Sequence, residues 1–132
     1  ILFQYATIFN DNEIKEFSIE VLAFSTLRKK FSETFVNDVG ICHGSAGIVH
    51  IYNKIWMETK DKRFKNARDF WINDILNTWE NKDDLIFKRY IGKAGKFEYS
   101  NSLLEGVTGV GLVLTSILTN DNSWDYCIML NN

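Results

Sequence analysis

A glycine-containing segment occurs twice in this chain, and the repetition limits the folds that the chain can adopt. Ile41 to Ile48 (ICHGSAGI) aligns without a gap with Leu103 to Val110 (LLEGVTGV), so both glycines and the flanking apolar residues recur. After the first copy, apolar residues follow at the spacing of one helix face: Ile48, Ile51, Tyr52, Ile55 and Trp56. A repeated turn plus helix is an architectural device. It predicts close packing and unusual backbone angles at two helix starts for Gly44, Gly47, Gly106 and Gly109.

Cys42 and His43 are the part of the first copy that the repeat does not explain, because the second copy has Leu104 and Glu105 in their place. Thiolate and neutral imidazole are the side chains that bind zinc best. From the residues alone, a buried structural cysteine beside a capping histidine remains an alternative, since a structural zinc site needs about four protein ligands. The carboxylate of Glu105 at a helix entrance is explained by the helix dipole.

Composition and charge exclude several classes of protein. The chain has 132 residues, the length of one domain, and its 45% hydrophobic and 14% aromatic content is too high for a disordered chain. A net charge of −2 argues against nucleic-acid binding. Two cysteines far apart make no disulfide framework, and no segment has the ~20 uninterrupted apolar residues of a membrane span. We therefore expect a cytoplasmic chain without a signal peptide or a membrane span.

Hydrophobic periodicity predicts alternating amphipathic and apolar helices. From Glu13 to about Phe31, one apolar stripe with charges elsewhere predicts an outer helix that ends before the loop Asn37 to Gly40. Ser45 to about Thr59 has few charges and predicts an inner helix. A second outer helix, with a stripe from Phe64 to Trp79, is expected to follow the cap residue Asp61.

The later part of the chain contains an irregular segment and a very apolar helix. Between Asn81 and Ser102 the helical period fails, and the pattern predicts a short hairpin or loop at about residues 85–99. Its basic residues either contact a peptide substrate or, as we favour, form a solvated face: Lys88, Arg89, Lys93 and Lys96. Gly106 to Leu118 contains no charge, so we expect that helix to be enclosed on all sides. The alternation of helices fits a two-layered helical ring or an α-solenoid.

Two further residues of ligand type are expected to have structural roles. His50 follows His43 by two helical turns, about 10 Å along the helix axis, which is too far for one ion. We therefore expect His50 to be a hydrogen-bonded residue of an inner helix. Cys127 lies in the apolar segment Trp124 to Leu130 and is expected to be a packed thiol.

The order and spacing of these pieces resemble the C-terminal part of lanthionine synthetase C-like proteins, the lanthipeptide cyclases. The resemblance rests on Ile41 to Ile48, on Leu104 to Val110, and on Trp124 followed by Ile128 to Leu130. It implies an all-α fold formed by the last repeats of an α/α toroid, which is a double ring of inner and outer helices. Residues 1–132 would then be the C-terminal part of a single cyclase domain whose N-terminal repeats are missing.

The resemblance also implies a chemistry. Such cyclases add a cysteine thiol of a precursor peptide across the double bond of dehydroalanine or dehydrobutyrine, which forms a thioether (lanthionine) ring. Their zinc ion is held by two cysteines and one histidine, and Cys42 and His43 match the second cysteine and the histidine. The first cysteine and the catalytic residues are expected upstream of Ile1. The chain by itself is therefore expected to retain zinc weakly or not at all, and to form no rings.

The resemblance implies a dehydrated precursor peptide and a dehydratase as partners. The apolar surface that missing repeats would cover favours self-association. Two other functions stay open: a non-catalytic helical-ring relative that binds zinc or peptides, and a plain helical-repeat interaction module in which the Cys42-His43 pair is accidental. The upstream sequence distinguishes these alternatives, since the missing cysteine should lie within a few residues of Ile1.

Overall fold

The computed structural model describes residues 1–80, 88–92 and 95–128, without the side chains of residues 79 and 80. Helices dominate this part of the chain, and its strands form one short antiparallel pair. The all-α fold class and the hairpin at about residues 85–99 are therefore confirmed. Contacts divide the chain into two compact units, Ile1–Phe35 and Val36–Asn132.

The first unit contains three helices: α1 (Leu2–Ile8), α2 (Asn12–Ser25) and α3 (Phe31–Thr34). Asp11 caps α2, because its Oδ1 accepts a hydrogen bond of 3.0 Å from the backbone N–H of Ile14. The helix predicted to run to about Phe31 ends at Ser25. The hydroxyl of Thr26 donates to the carbonyl of Ala23 there, and such bonds compete with the helical ladder.

The apolar stripe that the sequence predicts on α2 faces solvent in this structure. Phe17, Val21 and Phe24 are 62%, 52% and 71% exposed. Ser18 and Ala23, on the other face of α2, are buried instead. Small residues allow the close approach of α1 and α2, and the large apolar side chains are left outside the pair.

The second unit is built around α4 (Ser45–Thr59) and α5 (Lys62–Glu80), and both helices begin and end close to their predicted bounds. Asp61 caps α5 as expected, since its Oδ1 accepts the backbone N–H of Arg63 at 2.8 Å. The two helices pack together through the predicted stripe of α5, whose buried members are Phe64, Ala67, Trp71 and Ile75. Trp79, the last member of that stripe, lies outside the described side chains.

The hairpin and the last helices complete the second unit. The strands β1 (Lys88–Ile91) and β2 (Lys96–Tyr99) pair with Tyr90 opposite Phe97. They are followed by α6 (Val107–Thr119) and by a 3-10 helix at Ser123–Ile128. One face of α6 is buried, but Leu118 is 84% exposed. The prediction that α6 is enclosed on all sides is therefore wrong. In the described part of the chain, α4 covers α6 on one face.

The two glycine-containing turns have the same backbone arrangement. The N–H of Ser45 donates to the carbonyl of Asp38 at 3.0 Å, and in the second turn the N–H of Val107 donates to the carbonyl of Ser100 at 3.0 Å. A side chain on Gly47 would collide with the carbonyl of Ile41, as one on Gly109 would with that of Leu103. The repeat seen in the sequence is thus a structural repeat, and Gly47 and Gly109 are required by the space available. The prediction of unusual backbone angles is wrong, because Gly44 and Gly106 have φ of −107° and −132°, in the extended region that any residue adopts.

Candidate metal centre

The turn from Asp38 to Gly44 presents Cys42 and His43 to solvent from an otherwise buried backbone. Residues 38–41 and Gly44 are buried, whereas Cys42 and His43 are exposed. Hydrogen bonds from Gly44 N–H (3.1 Å) and Gly47 N–H (3.3 Å) to the carbonyl of Gly40 close the turn at the start of α4. The two predicted ligands therefore stand on a rigid support with their side chains accessible.

His43 is next to a buried carboxylate that sequence reasoning missed. Its Nε2 lies 3.4 Å from Oδ2 of Asp38, whose side chain is 1% exposed while that of His43 is 49% exposed. Oδ1 of Asp38 accepts the N–H of Gly40 at 3.0 Å, and Oδ2 accepts the N–H of Tyr90 at 2.8 Å. A local signal was available: an Asp two residues before Gly40 is the pattern of an Asx turn. The contact with Tyr90 had no local signal.

The second turn and the hairpin support the first turn. The N–H of Cys42 donates to the carbonyl of Leu104 at 2.9 Å. From β1, Nη1 of Arg89 donates to Oε2 of Glu105 at 2.6 Å, and this hydrogen bond raises the pKa of Arg89. Strand β1 therefore contacts the first turn through the N–H of Tyr90 and the second turn through Arg89.

The basic residues predicted in the hairpin have different surroundings. Arg89 is paired with Glu105, and Nζ of Lys88 lies 4.4 Å from the ring centroid of Tyr99. Lys96 is exposed, as a solvated face requires, and Lys93 lies outside the described residues. Whether any of them contacts a peptide stays a prediction.

The contacts of His50 and Cys127 are with residues outside the turn. Nε2 of His50 is 3.0 Å from Oδ2 of Asp125, which confirms that His50 is a hydrogen-bonded buried residue. Burial lowers the pKa of His50, and the contact with Asp125 offsets this shift in part. The prediction that Cys127 is a packed thiol is wrong. Its thiol is exposed and donates to the carbonyl of Trp124 at 2.9 Å, because the 3-10 helix turns it outward.

A comparison with protein families gives a match over almost the entire chain. The family model described as lanthionine synthetase C-like protein matches residues 1–129. The chain belongs to the lanthionine synthetase C-like family. Its helical fold agrees with that family, which is an enzyme family of the lanthionine synthetase cyclase type. No match is found among curated proteins or among solved structures. None of the described helices is long and apolar enough to cross a membrane.

A zinc ion is the expectation that follows from the sequence resemblance, and the donors on the turn match part of the expected ligand set. Cys42 offers a thiol and His43 an imidazole that lies beside Asp38, and both side chains are suitable ligands for zinc. Within residues 1–80, 88–92 and 95–128, no three His, Cys, Asp or Glu residues form a group that could hold a metal ion. Cys42 and His43 therefore fit two positions of a site that needs at least one more protein ligand.

Proposed function

We propose that this chain is part of a zinc-dependent lanthipeptide cyclase in which Cys42 and His43 bind the metal. The observation that carries the proposal is the exposed Cys-His pair on a buried turn, with the imidazole held beside Asp38. Family membership supports the cyclase class. The identity of the peptide substrate and of the metal goes beyond family membership and belongs to the proposal.

The reaction joins the sulfur of a peptide cysteine to the β-carbon of a dehydroalanine or dehydrobutyrine. The thiol proton is lost and a proton is added at the α-carbon, so the addition needs no oxidant or reductant. When bound, zinc would supply an open fourth position that keeps the substrate sulfur as a thiolate near neutral pH. Cys42 would contribute a thiolate and His43 a neutral nitrogen. The exposure of both residues leaves room for a peptide to approach.

The partner under this proposal is a dehydrated precursor peptide in the cytoplasm. The third protein ligand, a cysteine, and the groups that deliver the proton to the α-carbon are expected upstream of Ile1. A non-catalytic relative that binds zinc without forming rings is the second candidate.

The test is the zinc content of the protein that carries this chain together with its upstream region. We expect about one zinc ion per chain in the wild type, and loss of the metal in Cys42→Ala and in His43→Ala, because a site of three protein ligands loses one of them. Cys127→Ala is the matched control, since it removes the other exposed thiol and should keep the metal. Zinc that is absent from the folded wild type, or unchanged in both ligand variants, would contradict the proposal.

Ring formation separates the two candidate functions. The addition leaves the peptide mass unchanged, so the product is measured as the loss of thiols that can be alkylated in a dehydrated peptide. Rings formed by the wild type and not by Cys42→Ala support the cyclase. Zinc binding without ring formation supports the non-catalytic relative.

A further inference from the structure

Asp38 is held in one orientation by its surroundings. Its side chain is 1% exposed, and a buried carboxylate is costly unless hydrogen bonds satisfy it. Backbone N–H groups occupy both oxygens, that of Gly40 at Oδ1 (3.0 Å) and that of Tyr90 at Oδ2 (2.8 Å). On the side of Gly44 there is no free space, because a Cβ on Gly44 would collide with Oδ1. The two backbone hydrogen bonds hold the carboxylate in this orientation.

One nitrogen of His43, Nε2, faces this carboxylate. Nε2 lies 3.4 Å from Oδ2 of Asp38, which is within ion-pair distance and longer than a well-formed hydrogen bond. A carboxylate presents lone pairs and no proton, so the electrostatics of this contact favour the neutral imidazole that carries its proton on Nε2. In this tautomer Nδ1 is unprotonated, and an unprotonated ring nitrogen is the atom that binds a metal ion.

We propose that Asp38 is a positioning residue that holds His43 in the Nε2–H tautomer and so presents Nδ1 to the metal. The inference rests on the zinc site of the proposed function and adds a residue to it. Metal-ligating histidines commonly donate their second N–H to a carboxylate, and removing that partner costs about 10-fold to 100-fold in metal affinity. The hairpin takes part in this arrangement, because the N–H of Tyr90 in β1 helps to fix the carboxylate.

Asp74 offers a matched control. It lines the same cavity of about 180 Å³ as Asp38, and its carboxylate accepts a hydrogen bond from the hydroxyl of Ser45 at the start of α4. Asp74→Asn and Asp38→Asn thus make the same chemical change on the same cavity. The contact with His43 belongs to Asp38.

The first measurement is zinc affinity by competition with a chelator, in the protein that carries the chain and its upstream region. We expect Asp38→Asn to bind zinc about 10-fold to 100-fold more weakly than the wild type. Asp74→Asn should stay close to the wild type. Equal affinity in Asp38→Asn and the wild type, or equal losses in both variants, would overturn the inference.

The second measurement identifies the nitrogens directly by nuclear magnetic resonance of ¹⁵N-labelled histidine. At about pH 8, where an ordinary imidazole is neutral, metal-free wild type should show His43 protonated at Nε2 alone, and Asp38→Asn should show a mixture of tautomers. With ¹¹³Cd in the site, coupling should appear to Nδ1. A proton on Nδ1 in the wild type, or coupling to Nε2, would refute the role of Asp38 even if Asp38→Asn failed to fold.

The metal-free spectrum also separates this inference from the proposed function. A wild type that shows the Nε2–H tautomer but binds no zinc would contradict the metal site and support the interaction of Asp38 with His43. A wild type that binds zinc through His43 with no change in Asp38→Asn would support the site and contradict the positioning role.

Discussion

At the scale of single residues, His50 shows how neighbours set the state of a buried titratable group. Its side chain is 1% exposed, and it faces Asp125 (0% exposed) and the ring of Trp124, with ring centroids 4.8 Å apart. Nζ of Lys54 also lies 2.7 Å from Oδ2 of Asp125. Burial lowers the pKa of His50, the Asp125 carboxylate opposes this, and the Lys54 cation adds to the lowering. In the described part of the chain, Nδ1 of His50 has no hydrogen-bond partner.

This lowered pKa predicts a dependence of stability on pH. Since the folded pKa is below the unfolded value, the unfolded chain binds the proton more strongly. Stability is therefore full above the unfolded pKa and falls as the pH drops below it. Between about pH 7 and pH 5 we expect the free energy of unfolding to fall by at most about 2 kcal/mol, measured by urea denaturation at each pH.

The substitution His50→Gln should flatten this dependence, because it removes the titrating group and keeps a polar side chain. A slope that is the same in His50→Gln and in the wild type would mean that other groups cause it.

At the scale of elements, two glycines of α6 that are two residues apart have opposite environments. A side chain on Gly109 would collide with the carbonyl of Leu103 and would meet Ile41 in the first turn. A Cβ on Gly111 would meet no atom of the described residues within 4 Å outside its own helix backbone. We expect Gly109→Ala to destabilise by about 1–3 kcal/mol through overpacking, and Gly111→Ala to stabilise by up to about 1 kcal/mol through helix propensity.

Thermal and urea unfolding of the two variants measure this difference. Each serves as the control for the other, because both replace glycine with alanine in the same helix. If Gly109→Ala were as stable as Gly111→Ala, the contact between the second turn and Ile41 would not be as close as the structure has it.

Elements were predictable from the sequence where local patterns determine them. The bounds of α4 and α5 follow from an apolar stripe with helical spacing and, for α5, from the cap residue Asp61. The choice of Cys42 and His43 as candidate ligands followed from residue type and the repeat, whereas their exposure is known only from the structure. Whether the pair binds metal remains a prediction.

What the sequence could not supply are contacts between distant segments. The hydrogen bond from Tyr90 to Asp38 joins residues 52 positions apart, and the contact of His50 with Asp125 joins residues 75 apart. No local pattern encodes such pairs, because they depend on how the helices pack. The exposure of Cys127 was missed because apolar composition alone does not tell which face of a segment is covered. The early end of α2 was missed because its apolar stripe continues in the sequence beyond Ser25.

At the scale of the whole molecule, the exposed face of α2 predicts self-association. Phe17, Val21 and Phe24 lie on one helical face and are each more than half exposed. Large exposed apolar patches favour association in water. We expect the chain to form oligomers with rising concentration in sedimentation velocity, and the double variant Phe17→Glu with Phe24→Glu to shift the population toward monomer.

Leu118→Glu is the matched control for this prediction. Leu118 is 84% exposed on α6 in the second unit, so it tests whether any exposed apolar residue has the same effect. A wild type that stays monomeric at every concentration, or a Leu118→Glu variant that dissociates as completely as the α2 variant, would contradict the role of this face.

The two glycine-containing turns are in contact as well as similar in sequence, so one turn can support the other. The carbonyl of Leu104 holds the backbone of Cys42, and the carboxylate of Glu105 anchors Arg89. The second turn, which lacks the thiol and imidazole, thus supports the backbone of the first turn, which has them. The support at Leu104 comes from its main-chain carbonyl, so this hydrogen bond does not depend on the identity of the Leu104 side chain. The two copies of the repeat thus divide the structural support and the candidate ligands between them.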